Sequence, residues 1–334
     1  MRVAVLGAGS WGTTLASLLS TRNETVLWAR EPEIAASISA RHENPVFLPG
    51  FALSPALGST HELEVALRGA DVIVVAVPSQ YVRSVVDDAR PLIAPDADIV
   101  SVSKGIEPGT CKRMTEVLAD VLGDDPDRFC VLSGPNLARE VIAGQPSATV
   151  IASVDAARAE RLQHLFMSDG LRVYTNPDLV GCEIGGAVKN VIAIAAGIGD
   201  GLTYGWNTKA ALITRGLAEL ARLGVALGGE PLTFLGLAGN GDLMATCSSP
   251  HSRNRHVGEE LGKGRSLDDV LSGMQMVAEG VGTTASILEL ADRSGIELPI
   301  CEQVGAVLSG RLPPTEVVRQ LMNRKARTEF HDFA

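Results

Sequence analysis

Cysteine is scarce and poorly arranged for cross-linking. The 334-residue chain holds five, Cys111, Cys130, Cys182, Cys247 and Cys301, an odd number with no CxxC pair. That excludes a disulfide framework or a cysteine zinc site and reads as reduced cytosolic thiols. Positive charge is also short. Lys and Arg number 29 against 39 Asp and Glu, a formal net charge of −10. This balance argues against sequence-independent nucleic-acid binding and against a polybasic membrane surface. An anionic substrate then needs a local basic pocket. Long apolar runs are missing: stretches such as VIVVAVP at 72–78 fall far below the ~20 residues of a membrane helix. Residue 1 leads straight into a β-rich run, which leaves no room for a signal peptide. These absences together predict a soluble, cytoplasmic protein.

Aromatics are few, at 4%, while the chain is 46% hydrophobic with 35 glycines. Ala, Val, Leu and Gly suit helices packed closely over a parallel sheet. The length suits two domains. The first half alternates strand and helix. Arg2–Leu6 reads as a strand, a helix pattern covers about 10–21, and TVLWA at 25–29 reads as a second strand. Between strand and helix stand Gly7, Gly9 and Gly12 in the spacing GxGxxG. Strand, glycine turn, helix, strand is the context of a dinucleotide fingerprint. Gly7 permits the tight turn, Gly9 lets backbone approach a pyrophosphate, and Gly12 lets the helix close on the strand. The helix N-terminus supplies N–H groups for phosphate. The alternative is an ordinary glycine-rich turn. The second strand runs into Arg30 and Glu31. An arginine there suits the 2′-phosphate of NADP, so NADPH is favoured over NADH. The alternative leaves Arg30 solvated, with Glu31 in the acidic role of an NAD site.

Further strands are expected at 72–78, 98–105, 129–136, 147–153 and 171–175. In an open α/β sheet, ligands bind at strand carboxyl ends. Lys104 and Gly134 stand at two such ends, although a lysine in a surface loop is the plainer reading of Lys104. After Thr175 strand signals fade. Asn176 and Pro177 suit a helix cap and first turn. Helices are expected at about 179–198, 208–226, 256–263, 267–272, 283–293, 298–308 and 314–322, before a charged tail at 323–334. The expected architecture is therefore an α/β domain over 1–178 and an all-α domain over 179–334.

Three stretches of the helical half stand out. GGAVKNVIAIAAGIG at 185–199 is glycine or apolar except for Lys189 and Asn190. A buried ammonium must be paired, lowered in pKa, or working. Gly185, Gly186, Ala193 and Ala196 give its face little bulk, so a second chain, a ligand or a tightly packed helix could lie there. GLAGNGDLMATCSS at 236–249 favours a tight turn at GNGD, followed by Asp242. HSRNRH at 251–256 is basic and amide-rich, and Ser252, Arg253 and Asn254 would make a phosphate cradle. The alternative for Arg253 is a solvated loop. A metal site from His251 and His256 is disfavoured, because their spacing is not i, i+4 and no carboxylate lies between them.

The motifs GAGSWGTTLA, SKGIE, SGPNLARE, GGAVKNVIAIAAGIGDG, GLAGNGDLMATC, SRNRHVG and VAEGVGTT, in this order over nearly the whole chain, resemble those of the NAD(P)-dependent glycerol-3-phosphate dehydrogenases. The likeness is greatest to the bacterial enzymes that make glycerol 3-phosphate for phospholipid synthesis. The resemblance implies an N-terminal Rossmann domain, an α-helical C-terminal domain and a homodimer. It implies reduction of dihydroxyacetone phosphate by NADPH, with NADH as a second donor. It places Ser10, Trp11, Arg30, Lys104, Ala138, Arg253, Val277 and Glu279 on the cofactor. It places Lys104, Gly134, Asn136, Lys189, Asp242, Ser252, Arg253 and Asn254 on the substrate. Lys189 would be the proton donor or acceptor, with Lys104 and Asp242 beside it. One segment departs from the usual family pattern: Asn136 and Leu137 replace Ser or Thr followed by Phe. Burial should lower the Lys189 pKa and an adjacent Asp242 should raise it again. Two rivals remain: a reductase of hydroxy or keto acids with the same architecture, and a non-catalytic NADP(H) sensor. The sensor would not need Lys104, Lys189, Asp242 and Arg253 together.

Overall fold

The structure, a computed structural model, describes residues 1–325 and 328–329. Contacts divide it into two compact units. The first holds Met1–Lys104 and Lys112–Leu179; the second holds Gly105–Cys111 and the chain from Val180 onward.

The first unit is built on one sheet of β1 (Arg2–Leu6), β2 (Glu24–Trp28), β3 (Gly58–Thr60), β4 (Val72–Val75), β5 (Asp98–Ser101), β6 (Cys130–Ser133), β7 (Ser147–Ala152) and β8 (Leu171–Asn176). The spatial order is β3-β2-β1-β4-β5-β6-β7-β8. Alternate residues of β1 face separate cores, Val3 and Val5 one way, Ala4 and Leu6 the other. That explains why the strand is apolar from Val3 onward rather than alternating. The order reverses between β1 and β4, which pair from Val3↔Val72 to Leu6↔Val75. A reversal of this kind opens a crevice at the strand carboxyl ends.

The strands end earlier than their apolar patterns do. Those expected to reach 78, 105 and 136 stop at Val75, Ser101 and Ser133, leaving Lys104 and Gly134 in the loops beyond. The parallel sheet needs one correction: β7 runs antiparallel to β6. β3, with the sequence GST, carries no apolar signal and escapes a sequence reading. Asn176 closes β8 instead of capping a helix, and its Oδ1 accepts from the Asp178 N–H at 2.9 Å.

The second unit is helical among the described residues. Its first and longest helix, Leu179–Gly201, corrects the expectation about apolar runs. It is long and apolar enough to cross a membrane, because a few polar residues interrupt the run without changing its character. However, 94% of its most apolar window is buried within the protein, which makes it a core helix. Its small face is occupied by the chain's own backbone, not by a second chain. A Cβ at Gly185 would stand 2.6 Å from the Ala238 carbonyl oxygen, and one at Gly197 would stand 2.0 Å from that of Arg255. The contact is reciprocal: a Cβ at Gly258 of the Arg253–Gly262 helix would stand 2.0 Å from the Ile194 oxygen.

Two further readings change. GNGD is not a tight turn. Leu237–Gly241 forms a π-helical turn that leads directly into the Asp242–Ser248 helix. The helix expected from about 256 starts at Arg253, which removes the solvated-loop alternative for that residue. The helix expected from 283 begins at Glu279. The charged tail lies partly outside the described residues. All five cysteines are free and buried.

Glu219, on the Trp206–Ala226 helix, is buried and accepts from the Ile300 and Cys301 N–H groups at 2.7 and 3.2 Å. Burial pushes its pKa up to about 7, against the pull of those N–H groups and of Arg222. The folded protein then holds a proton that the unfolded chain releases near its ordinary value of 4.5. Its contribution to stability is full below that value and is lost as pH rises through about 7. Between pH 5 and 8, the urea midpoint of the native protein should therefore fall more than that of Glu219→Gln. Equal slopes would show that Glu219 is already ionised when folded. Separately, Gly258→Ala should destabilise by about 1–3 kcal/mol or more, since the helices must separate to admit the methyl group. An unchanged unfolding midpoint would contradict the close contact.

Candidate functional site

In the first unit the glycine turn has the form that its spacing predicts. Gly7 has φ +115°, and a Cβ there would meet the Ala76 carbonyl oxygen at 2.7 Å. A Cβ at Gly12 would stand 2.1 Å from the Gly7 oxygen, so only glycine lets the helix close on the turn. At Gly9 the opposite holds: nothing lies within 4 Å of an added Cβ. Gly9 precedes the Ser10–Leu19 helix and no side chain caps that N-terminus. Its first N–H groups are therefore open to an anion. Ser10 and Trp11 are the first two helical residues, half-buried, and the buried Trp11 Nε1 has no hydrogen-bond partner among the described residues. An open glycine and an orphaned indole N–H fit a bound dinucleotide. Thr14 of the same helix donates to the Ala138 carbonyl at 3.4 Å, which brings residue 138 beside this turn.

Arg30 lies just past the end of β2, largely exposed, with its Nε 2.8 Å from Glu31 Oε1. The two candidates for the ribose end are thus paired with each other. Lys104, beyond β5, donates to the Gly134 carbonyl at 2.8 Å. Gly134 has φ +141° and a Cβ there would press on Thr149, so glycine is required on both counts. Asn136 donates to Thr149 Oγ1 at 3.0 Å, while its buried Oδ1 has no hydrogen-bond partner among the described residues.

In the second unit Lys189 is buried and paired. Its Nζ lies 3.0 Å from Asp242 Oδ1 and 2.7 Å from Thr246 Oγ1, and Thr246 donates to the same Asp242 oxygen at 3.1 Å. Asp242 and Thr246 stand one turn apart on a single helix, so both face the ammonium. The other exception in the apolar stretch, Asn190, accepts through Oδ1 from Asn254 Nδ2 at 2.8 Å. Asn254 Oδ1 in turn accepts from the Gly280 N–H at 2.9 Å. Ser252 caps its helix by accepting from the Arg255 N–H at 3.2 Å. Arg253 is exposed and donates to the Val277 carbonyl at 2.7 Å. Its guanidinium feels the nearby Glu279 carboxylate.

Residues 2–159 match the family model for the N-terminus of NAD-dependent glycerol-3-phosphate dehydrogenase, and residues 178–319 match that for its C-terminus. The chain belongs to this family. It is 52% identical over 331 residues to glycerol-3-phosphate dehydrogenase (NAD(P)+) 2 of Sphingopyxis alaskensis, over 99% of both chains. It is 52% identical to glycerol-3-phosphate dehydrogenase (NAD(P)+) of Thermobifida fusca, over 98% of both chains. Its structure is similar to the crystal structure of glycerol-3-phosphate dehydrogenase from Coxiella burnetii, with a TM-score of 0.92 at 37% identity, over 97% of this chain and 99% of that one.

Apart from Arg30, which pairs with Glu31, the residues expected from the resemblance to this dehydrogenase family gather in four groups. They are the glycine turn with Ala138, Lys104 with Gly134, Lys189 with Asp242, and residues 252–254 with 277–279. Sequence reasoning missed Thr246, which a helical reading of 242–248 would have shown one turn after Asp242. It also missed a second, partly buried network. There, Asp200 receives Lys209 Nζ at 2.9 Å and Arg255 Nε at 2.6 Å. Removing Asp242 takes the carboxylate away from the buried Lys189 ammonium. Asp242→Ala should therefore lose about 3–5 kcal/mol of stability. Adding Lys189→Met should recover much of that loss in urea unfolding. No recovery would mean that Lys189 is not charged in the folded protein.

Proposed function

We propose that the protein reduces dihydroxyacetone phosphate to sn-glycerol 3-phosphate with NADPH, accepts NADH as an alternative, and supplies phospholipid synthesis. The observation that carries this reading is the Lys189–Asp242–Thr246 cluster in a chain of this family. An ammonium buried in an apolar helix and held by one carboxylate and one hydroxyl is a poised proton donor.

Reduction places negative charge on the C2 oxygen of the substrate. Lys189 stabilises that charge and donates its proton to it. Asp242 favours the protonated lysine before reaction and fixes its direction. Thr246 accepts from Nζ and removes one degree of freedom from the ammonium. Lys104 adds a second positive charge. Arg253, with Ser252 and Asn254, binds the phosphate, and this remote binding energy orients the carbonyl. Gly134 and Asn136 line the substrate. The bound dinucleotide supplies the hydride. Gly7, Gly9, Ser10, Trp11 and Gly12 hold its pyrophosphate end, Arg30 its 2′-phosphate, and Ala138, Val277 and Glu279 its remaining length, with Lys104 and Arg253 touching both ligands. Residues 1–178 serve as the dinucleotide domain and 179–334 as the substrate and dimerisation domain. The working form is a cytoplasmic homodimer.

Loss of absorbance at 340 nm with dihydroxyacetone phosphate tests the reading, with NADPH and NADH in parallel. Oxidation is expected with both, and a larger specificity constant for NADPH if Arg30 meets the 2′-phosphate. Lys189→Ala should cut turnover by orders of magnitude while still binding NADPH. Near-normal turnover would remove Lys189 from the chemistry, and oxidation only with keto acids would replace the substrate.

A further inference from the structure

A fully buried asparagine grips the glycine turn from outside the fingerprint. Asn44 lies 32 residues beyond the last glycine of the GxGxxG segment, in a loop that no motif marks. Its Nδ2 donates to the Ala8 carbonyl at 2.8 Å and to Thr13 Oγ1 at 2.9 Å. Thr13 Oγ1 donates to the same Ala8 carbonyl at 3.1 Å. The Asn44 Oδ1 accepts from the Phe47 N–H at 3.0 Å, which fixes the orientation of its amide. All of the amide's hydrogen-bonding groups are thus engaged, and Asp could not replace Asn without setting a carboxylate against the Ala8 oxygen. The loop itself is anchored: Leu48 is wholly buried, and its N–H donates to the Asn44 carbonyl at 3.1 Å.

The Ala8–Gly9 peptide is trans and planar, so its N–H points opposite to its carbonyl. With the Ala8 oxygen held by Asn44 and Thr13, the Gly9 N–H must face away from both. Gly9 is the residue with open space around its missing Cβ. We infer that Asn44 is a positioning residue for the dinucleotide: by holding the Ala8 carbonyl, it turns the Gly9 N–H toward the pyrophosphate. This rests on the reading of the first unit as an NADPH site.

The test measures the dissociation constant of NADPH for the full-length native protein, Asn44→Ala and Thr13→Val. It also measures turnover, the KM for dihydroxyacetone phosphate at saturating NADPH, and the melting temperature. Asn44→Ala should weaken NADPH binding about tenfold, the equivalent of one buried hydrogen bond lost. Thr13→Val, which keeps the side-chain shape, should weaken it in the same direction. Combining the two should be less than additive because both act on one carbonyl. Turnover and substrate KM at saturating NADPH should hold. A purely structural role predicts lower melting temperatures with native NADPH affinity in the folded variants, and that result would overturn the inference. If Asn44→Ala does not fold, native affinity in Thr13→Val overturns it alone. Native protein that binds no dinucleotide overturns the functional reading, and this inference with it.

Discussion

Two helices approach until backbone touches backbone, and the placement of the buried polar groups of the second unit rests on that approach. Side chains normally hold helix axes about 8–10 Å apart. The glycines at 197, 201, 258 and 262 remove them. A Cβ at Gly201 would stand 2.2 Å from the Glu259 oxygen, and one at Gly262 would stand 2.6 Å from that of Ile198. The contacts advance together along both helices, since Gly258 meets Ile194 and Gly262 meets Ile198. One turn back on each helix are Asn190 and Asn254, which hydrogen-bond at 2.8 Å. The polar pair is thus the next rung of a ladder whose other rungs are glycine. It sets Lys189 in register with the start of the helix that carries Ser252, Arg253 and Asn254.

The same economy governs two of the polar groups that the fold buries. Lys189 stands among apolar neighbours because Asp242 and Thr246 meet it at hydrogen-bond distance. Without them its desolvation would cost more than its helix gains by packing. In the first unit the buried Ala8 carbonyl is met by Thr13 and Asn44. In both places glycine lets the backbone close, and one or two short polar side chains complete the hydrogen bonding left inside.

Much of this was legible in the sequence. The glycine fingerprint could be read because backbone geometry permits only glycine at Gly7 and Gly12. Lys189 could be read because a charge in an apolar stretch is conspicuous. The helices were visible as periodic runs, two of them with matching ends at 267–272 and 314–322. What was not legible depended on partners distant in the chain. Thr246 and Asn44 are ordinary residues until folding sets them against Lys189 and Ala8. The π-helical turn at Leu237–Gly241 has the composition of a tight turn, so local propensity pointed elsewhere. That Ser252 also caps a helix could not be read, because the helix was expected to start later than Arg253.

The five buried cysteines carry a consequence of their own. Burial pushes the Cys130 thiol up to about 11 and the Cys247 thiol up to about 12, so neither is a thiolate at neutral pH. Thiolate, not thiol, is the form that reacts with oxidants and alkylating agents. Cys130 lies on β6, and Cys182, Cys247 and Cys301 lie on three separate helices of the other unit. Each is chemically silent while its surroundings stay shut and becomes reactive only when they open. The chain thus carries internal clocks of local unfolding in both units, and its resistance to oxidative damage is only as durable as the packing around each sulfur.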